Sequence, residues 1–277
     1  MHSTSSMSWF GRLSLGGGLA FLYLPIVVLV VYSFNASKLV SVWAGFSLGW
    51  YQTLFDDEAV MAAFGLSLKV AVLASAMSVV LGTLAGLVMA RFGPFRGKSL
   101  FAGMLTAPMV MPEVITGLSM LLLFVSMQQW LGFPEERGVL TIWVGHVTLC
   151  TAYVTVVIRS RLVEMDRSLE EAAMDLGARP LKIFFVITLP LILPAIASGF
   201  LLSFTLSLDD LVMTAFLSGP GSTTLPQLIF SRVRLGLNPE INALGTLTVL
   251  VVAVLVISAN RIMLRQEKRR AALAAAS

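Results

Sequence analysis

Charge is scarce in this chain. Only 12% of its 277 residues are Asp, Glu, Lys or Arg, whereas 57% are hydrophobic and the mean hydropathy is +0.89. Soluble domains carry about 25% charged residues, so the composition points away from a soluble domain and toward a polytopic membrane protein. Cysteine is nearly absent. With Cys150 alone, an intramolecular disulfide and a cysteine-based metal site are both excluded. His2 and His146 are the only histidines. They form no metal-binding pair, and no nucleophile-elbow sequence accompanies them. The alternating ten-residue segments of a membrane β-barrel are also missing, because the apolar runs are longer and uninterrupted. An all-α architecture follows, since lipid offers no partner for free backbone groups.

A spanning helix needs about 20 mostly apolar residues. Six stretches qualify: Leu13–Ser33, Phe64–Ala90, Leu100–Val125, Val139–Ile158, Leu189–Leu208 and Leu244–Leu264. The first follows Arg12 but is too long for a signal peptide, and is read as an uncleaved helix. A pI near 9.5 raises the question of nucleic acid. The basic residues, however, cluster at the ends of apolar runs. Alternate connections, with the N-terminal segment and the tail, hold 14 of the 19 Lys and Arg residues, and the other side holds 5. That asymmetry places both termini in the cytoplasm and the loops at 34–63 and 209–243 outside. The expected division is an N-terminal segment (1–63), a core of five helices (64–264) and a basic tail (265–277).

Residues 159–188 are charged in a chain that is otherwise greasy. Each charge left in lipid would cost about 2.5–3.5 kcal/mol, so this segment stays in water. Ser168-Leu169-Glu170-Glu171 reads as a capping box, with Ser168 as cap and Glu171 reaching back. Gly177 suits the left-handed residue that ends a helix, and Pro180 suits the first turn of the next. The spacing predicts a short helix over Leu169–Leu176 and then a sharp bend. Such a helix could rest on lipid headgroups or lie in a groove on a protein. Glu170, Glu171 and Asp175 would be repelled by an anionic leaflet, which favours the protein.

Glu171-Ala172-Ala173, Gly177 and Ile187-Thr188-Leu189-Pro190 together resemble the cytoplasmic signature of permease subunits of bacterial ABC importers. With six spans around it, the resemblance covers nearly the whole chain. It implies a type I importer transmembrane domain in the inner membrane. Its loop would form a coupling helix seated on an ATP-binding subunit, with Glu171, Ala172, Ala173 and Gly177 in the docking role. It also implies a second homologous permease, two ATP-binding subunits and an external binding protein. No resident cofactor, metal or nucleic acid is expected.

Gly93-Pro94-Phe95-Arg96-Gly97-Lys98-Ser99 imitates a phosphate-binding loop, but it has three residues between its glycines where the motif needs four. A membrane helix precedes it where the motif has a strand. The segment is read as a basic turn, so ATP hydrolysis is expected on another polypeptide.

Ionisable residues at membrane depth are functional candidates. Glu113 falls near the middle of the third expected span, between Pro108, Pro112 and Gly117, where the prolines should kink the helix. Asp209 and Asp210 fall at the outer end of the fifth. All three are acidic, which would hold a cation and repel an anion. Glu113 could instead be a protonated carboxyl between helices, and the Asp pair a helix-end feature; His146 could pack helices or line the pore. Ser207-Leu208-Asp209-Asp210, Ser218 to Pro226 and Asn238-Pro239-Glu240-Ile241-Asn242-Ala243 resemble polyamine permeases of the spermidine/putrescine type, most specifically the putrescine subunit. Met111-Pro112-Glu113 matches their acidic third-span position. A polyamine, with ammonium ends on a flexible chain, suits carboxylates and aromatic faces such as Tyr23, Tyr153, Trp143 and Phe204. The alternatives are the same architecture for an amino acid, metal or anion, a scaffold or intramembrane enzyme, and a secondary transporter.

Overall fold

The computed structural model describes residues 8–39, 42–236 and 239–276, with side chains through Ser258 and at Arg261. Asn238 and the side chains of Arg265, Lys268, Arg269 and Arg270 lie outside the described residues. In chain order the helices are α1 (Trp9–Ser33), α2 (Gly49–Asp56), α3 (Glu58–Arg91), α4 (Lys98–Val110), α5 (Glu113–Leu131), α6 (Val139–Glu164), α7 (Ser168–Asp175), α8 (Pro180–Ile183), α9 (Leu189–Asp209), α10 (Val212–Leu217), α11 (Leu225–Leu235) and α12 (Pro239–Ala276). A π turn, Phe184–Thr188, joins α8 to α9. Among the described residues, six stretches are long and apolar enough to cross a membrane: Trp9–Ser33, Glu58–Arg91, Glu113–Leu131, Val139–Glu164, Pro180–Asp209 and Pro239–Ser258.

The expected third span, Leu100–Val125, is not one helix. α4 stops at Val110 and α5 starts at Glu113, with Met111 (ψ 139°) and Pro112 (ψ 134°) extended between them. Pro112 has no N–H to bond back toward Pro108, and it pushes the residue before it out of the helical region. Pro108 itself sits inside α4 without breaking it. Where the sequence predicts a kink, the chain breaks, and Glu113 opens a helix instead of lying within one.

The chain forms two compact units. One comprises Met1–Met61 and Ile229–Val254. Within it, the loop after α1 folds around the buried Asn35. Its Nδ2 donates to the Val42 carbonyl at 2.7 Å, its Oδ1 accepts from the Ala44 amide at 2.9 Å, and its carbonyl accepts from Trp50 Nε1 at 2.8 Å. Asp57 caps the start of α3 by accepting from the Ala59 (2.9 Å) and Val60 (3.2 Å) amides. The same carboxylate pairs with Arg232 of α11, which lies 3.7 Å from Glu240 at the start of α12.

The other unit comprises Ala62–Leu228 and Leu255–Ser277. α6 is its axle and the most buried of the six candidate spans. Toward one end, Ile142 and Leu149 of α6 pack with Val70, Phe124, Met213 and Leu217. Toward the other, Val154, Ile158 and Leu162 pack with Ala90 and Ile192. Small residues set the approach. A Cβ on Gly82 would fall 2.6 Å from Val154 Cγ1, one on Gly86 3.0 Å from Ile158 Cγ2, and one on Gly199 3.3 Å from Val154 Cγ1. Lipid is as apolar as leucine, so spans associate largely through such close backbone contact.

Candidate functional site

α7 is built by its ends. The capping box does not form: Ser168 lies inside the helix and makes no cap, and Glu171 is exposed. Asp166 does the work in its place, accepting from the Ser168 amide at 2.9 Å and the Ser168 hydroxyl at 2.8 Å. These bonds, the backbone one foremost, hold the Asp166 carboxyl below the usual carboxylate range. A carboxylate bonded to amide and hydroxyl donors satisfies the entry to the helix better than a serine two residues on.

The other end follows the sequence closely. Gly177 has φ +79°, its amide donates to the Met174 carbonyl (2.8 Å), and the Ala178 amide donates to the Ala173 carbonyl (3.0 Å). This pair of bonds is a Schellman motif, which uses the left-handed residue to turn the chain. Pro180 then opens α8. Glu171, Ala172 and Gly177 are exposed and Ala173 is half-buried. Leu169, Met174 and Leu181 are exposed beside them, and Leu176 is 89% exposed. The small loop thus presents apolar side chains among its charges.

Its inner side is fastened by contacts between residues far apart in sequence. Glu170 Oε2 lies 2.8 Å from Arg91 Nε at the end of α3, and Glu170 Oε1 accepts from Thr188 Oγ1 at 2.8 Å. The Arg91 pair is held by charge and proximity, because its Nε–H is not aligned on the oxygen. Arg91 Nη1 donates to the Leu162 carbonyl (2.8 Å), and Arg167 Nη2 donates to the Ala90 carbonyl (2.6 Å).

The predicted acidic residues separate. Glu113 is exposed at the first position of α5, and Asp209 is exposed at the last position of α9. Asp210 is buried and fully engaged. It caps α10, accepting from the Met213 (3.2 Å) and Thr214 (2.9 Å) amides, and it also takes the Thr214 hydroxyl at 2.9 Å. His146, 1% exposed, reaches it from α6. Its Nε2 is 3.0 Å from Asp210 Oδ2 and 3.1 Å from Thr214 Oγ1, while Nδ1 is 2.6 Å from Ser207 Oγ. His146, Ser207 and Asp210 are the residue types of a hydrolytic triad, but here they are buried and tie three helices together. Ser207, Asp210 and Thr214 recur at spacings of three and four in sequence, a signal that could have linked them to His146.

Phe204 is buried and stacks near Phe200, with ring centroids 6.4 Å apart. Tyr153 and Trp143 are half-buried, and Tyr23 is exposed. In the basic turn, Lys98 Nζ donates to the carbonyls of Phe92 (2.8 Å) and Gly93 (3.3 Å), so its ammonium serves the turn after α3.

Comparison with known proteins agrees with this architecture. The model of a family described as "binding-protein-dependent transport system inner membrane component" matches residues 82–272. The putrescine transport system permease protein PotI of Escherichia coli strain K12 is 62% identical over 253 residues, 91% of this chain and 90% of that one. The spermidine/putrescine transport system permease protein PotC of the same strain is 39% identical over 256 residues, 91% of this chain and 94% of that one. Among solved structures, a chain of a bacterial ABC transporter involved in import of the acidic polysaccharide alginate is similar with a TM-score of 0.75 at 18% identity, covering 91% of this chain and 92% of that one. A chain of the MetNI methionine ABC transporter gives 0.61 at 18% identity, with 75% and 97% covered. At that identity the likeness is one of fold. The chain belongs to the family of binding-protein-dependent transport system inner membrane components, and is a multi-pass permease subunit of the ABC importer type.

Proposed function

We propose that this permease moves polyamines, putrescine foremost, from the periplasm into the cytoplasm. The observation that carries this reading is the 62% identity, over nine-tenths of the chain, with a putrescine permease. Acidic side chains support it: Glu113 and Asp209 are exposed carboxylates at helix ends, suited to hold ammonium groups. We assign these two to the substrate path. Asp210 serves it from behind, as the anchor of the corner between α9 and α10.

The 14-to-5 distribution of basic residues supports both termini and α7 lying on the cytoplasmic side. There, Glu171, Ala172, Ala173 and Gly177 meet an ATP-binding subunit. Two such subunits, this permease, a homologous permease and a periplasmic polyamine-binding protein make the transporter. ATP hydrolysis by the companions moves α7, and α7 rocks the spans so that the path opens alternately to each side.

The test is uptake of labelled putrescine by the reconstituted complex with its binding protein, in competition with spermidine, an amino acid and an inorganic anion. Competition by the amines alone is expected. Competition by the amino acid or the anion, with no effect of spermidine, would assign the same architecture to another solute.

A further inference from the structure

We infer that Glu170, not only its neighbour Glu171, is needed for coupling: it is a positioning residue that joins α7 to two spans at once. This inference rests on reading α7 as the element that docks the ATP-binding subunit. Consecutive helical residues point about 100° apart, so neighbouring glutamates can do different work. Glu171 is exposed on the outer side of α7. The Glu170 carboxylate is turned inward, with one oxygen 2.8 Å from Arg91 and the other 2.8 Å from Thr188.

Those two partners belong to different spans. Arg91 ends α3, and through its Nη1 it also holds the last turn of α6 at the Leu162 carbonyl. Thr188 is the last residue of the π turn that leads into α9. A π turn is a loosened stretch of helical ladder and is often found where a helix must adjust. Glu170 therefore holds the π turn that leads into α9 and the end of α3 at once. Arg91 and Glu170 are each 14% exposed, so water replaces neither partner well. Displacement of α7 by a docked motor passes to α3 and α9 together, and the outer face of the helix stays free for the motor.

The experiment uses the full reconstituted complex and reads putrescine uptake and ATP turnover side by side. The variants are Glu170→Gln, which keeps the shape and removes the charge, and Thr188→Val, which removes only the second arm. Uptake per ATP is expected to fall about tenfold in Glu170→Gln, a typical size for a coupling energy, with ATP turnover near wild type. Thr188→Val should fall in the same direction and by less, because the Arg91 contact remains. Unchanged uptake per ATP in both single variants overturns the role. So does a parallel fall of uptake, ATP turnover and complex yield, which would mark the contact as a fastening only. A wild-type complex that couples no amine uptake to ATP would instead overturn the transport reading on which this role stands.

Discussion

Arg91 and Arg167 cap each other's helices crosswise. Arg91, at the end of α3, donates to a carbonyl in the last turns of α6, and Arg167, just past α6, donates to the Ala90 carbonyl at the end of α3. Each guanidinium sits where a helix dipole is negative and carbonyls lack helical partners, which contributes about 0.3–1 kcal/mol apiece. The ends of two spans are thereby fixed where α7 begins.

Gly177→Val should damage the bend without touching a neighbour. No atom lies within 4 Å of a Cβ built there, so the whole effect comes from φ +79°. A β-branched residue in that region is strained by about 1–2 kcal/mol. The expected outcome is reduced putrescine uptake per ATP at normal expression, measured in proteoliposomes. Unchanged transport would contradict the coupling role of α7.

Glu113→Gln should weaken uptake of divalent amines and spare assembly. The side chain is exposed at the start of α5 and bonds to nothing that its loss would unfold. A loss of one carboxylate–ammonium contact corresponds to about tenfold in apparent affinity, for roughly 1.4 kcal/mol. Uptake kinetics at several putrescine concentrations check this. Equal transport by variant and wild type would take Glu113 out of the path.

Gly82→Ala should lower stability. Its Cβ would meet Val154 Cβ at 2.8 Å and the Thr155 amide nitrogen at 3.1 Å, and neither is a flexible chain end. Overpacking of this kind costs about 1–3 kcal/mol. Thermal unfolding in detergent should show a lower midpoint. Gly103→Ala, where nothing lies within 4 Å inside α4, is the control and should not lower it.

Asp57 gives a pH dependence. Its hydrogen bond from Arg232, the largest influence, outweighs burial and holds the carboxyl below its ordinary value. A lowered folded-state value means that the stabilisation is complete above the unfolded value of about 3.9 and is lost as pH falls through the folded one. Amide-exchange protection at the start of α3 should therefore be flat from neutral pH down to about 5 and fall only below about 4. Asp57→Asn should show the loss already at neutral pH.

Much of this architecture was legible because it rests on local rules. Five of the six expected spans recur with shifted ends, since twenty apolar residues in lipid leave the backbone little choice but a helix. The helix over Leu169–Leu176 is off by one residue at each end, and Gly177 turns the chain as its lack of a Cβ implies. The third span was misjudged because two prolines four residues apart read alike, although only Pro112 breaks the helix. The cap of α7 was misjudged because Ser168 and Asp166 are both good acceptors, and the choice depends on where the chain leaves α6. The partners of Glu170 and Asp210 were not legible. Arg91 lies 79 residues before Glu170, and His146 lies 64 before Asp210. Such meetings are decided by how helices pack, and the packing turns on glycines such as Gly82 and Gly199 that carry no signal of their partner.

The most direct test is to place the purified chain in proteoliposomes with and without the ATP-binding subunits, its partner permease and the binding protein, and to measure putrescine entry with and without ATP. The account predicts entry only in the complete assembly and only with ATP. Entry through this chain by itself, with no nucleotide consumed, would contradict it.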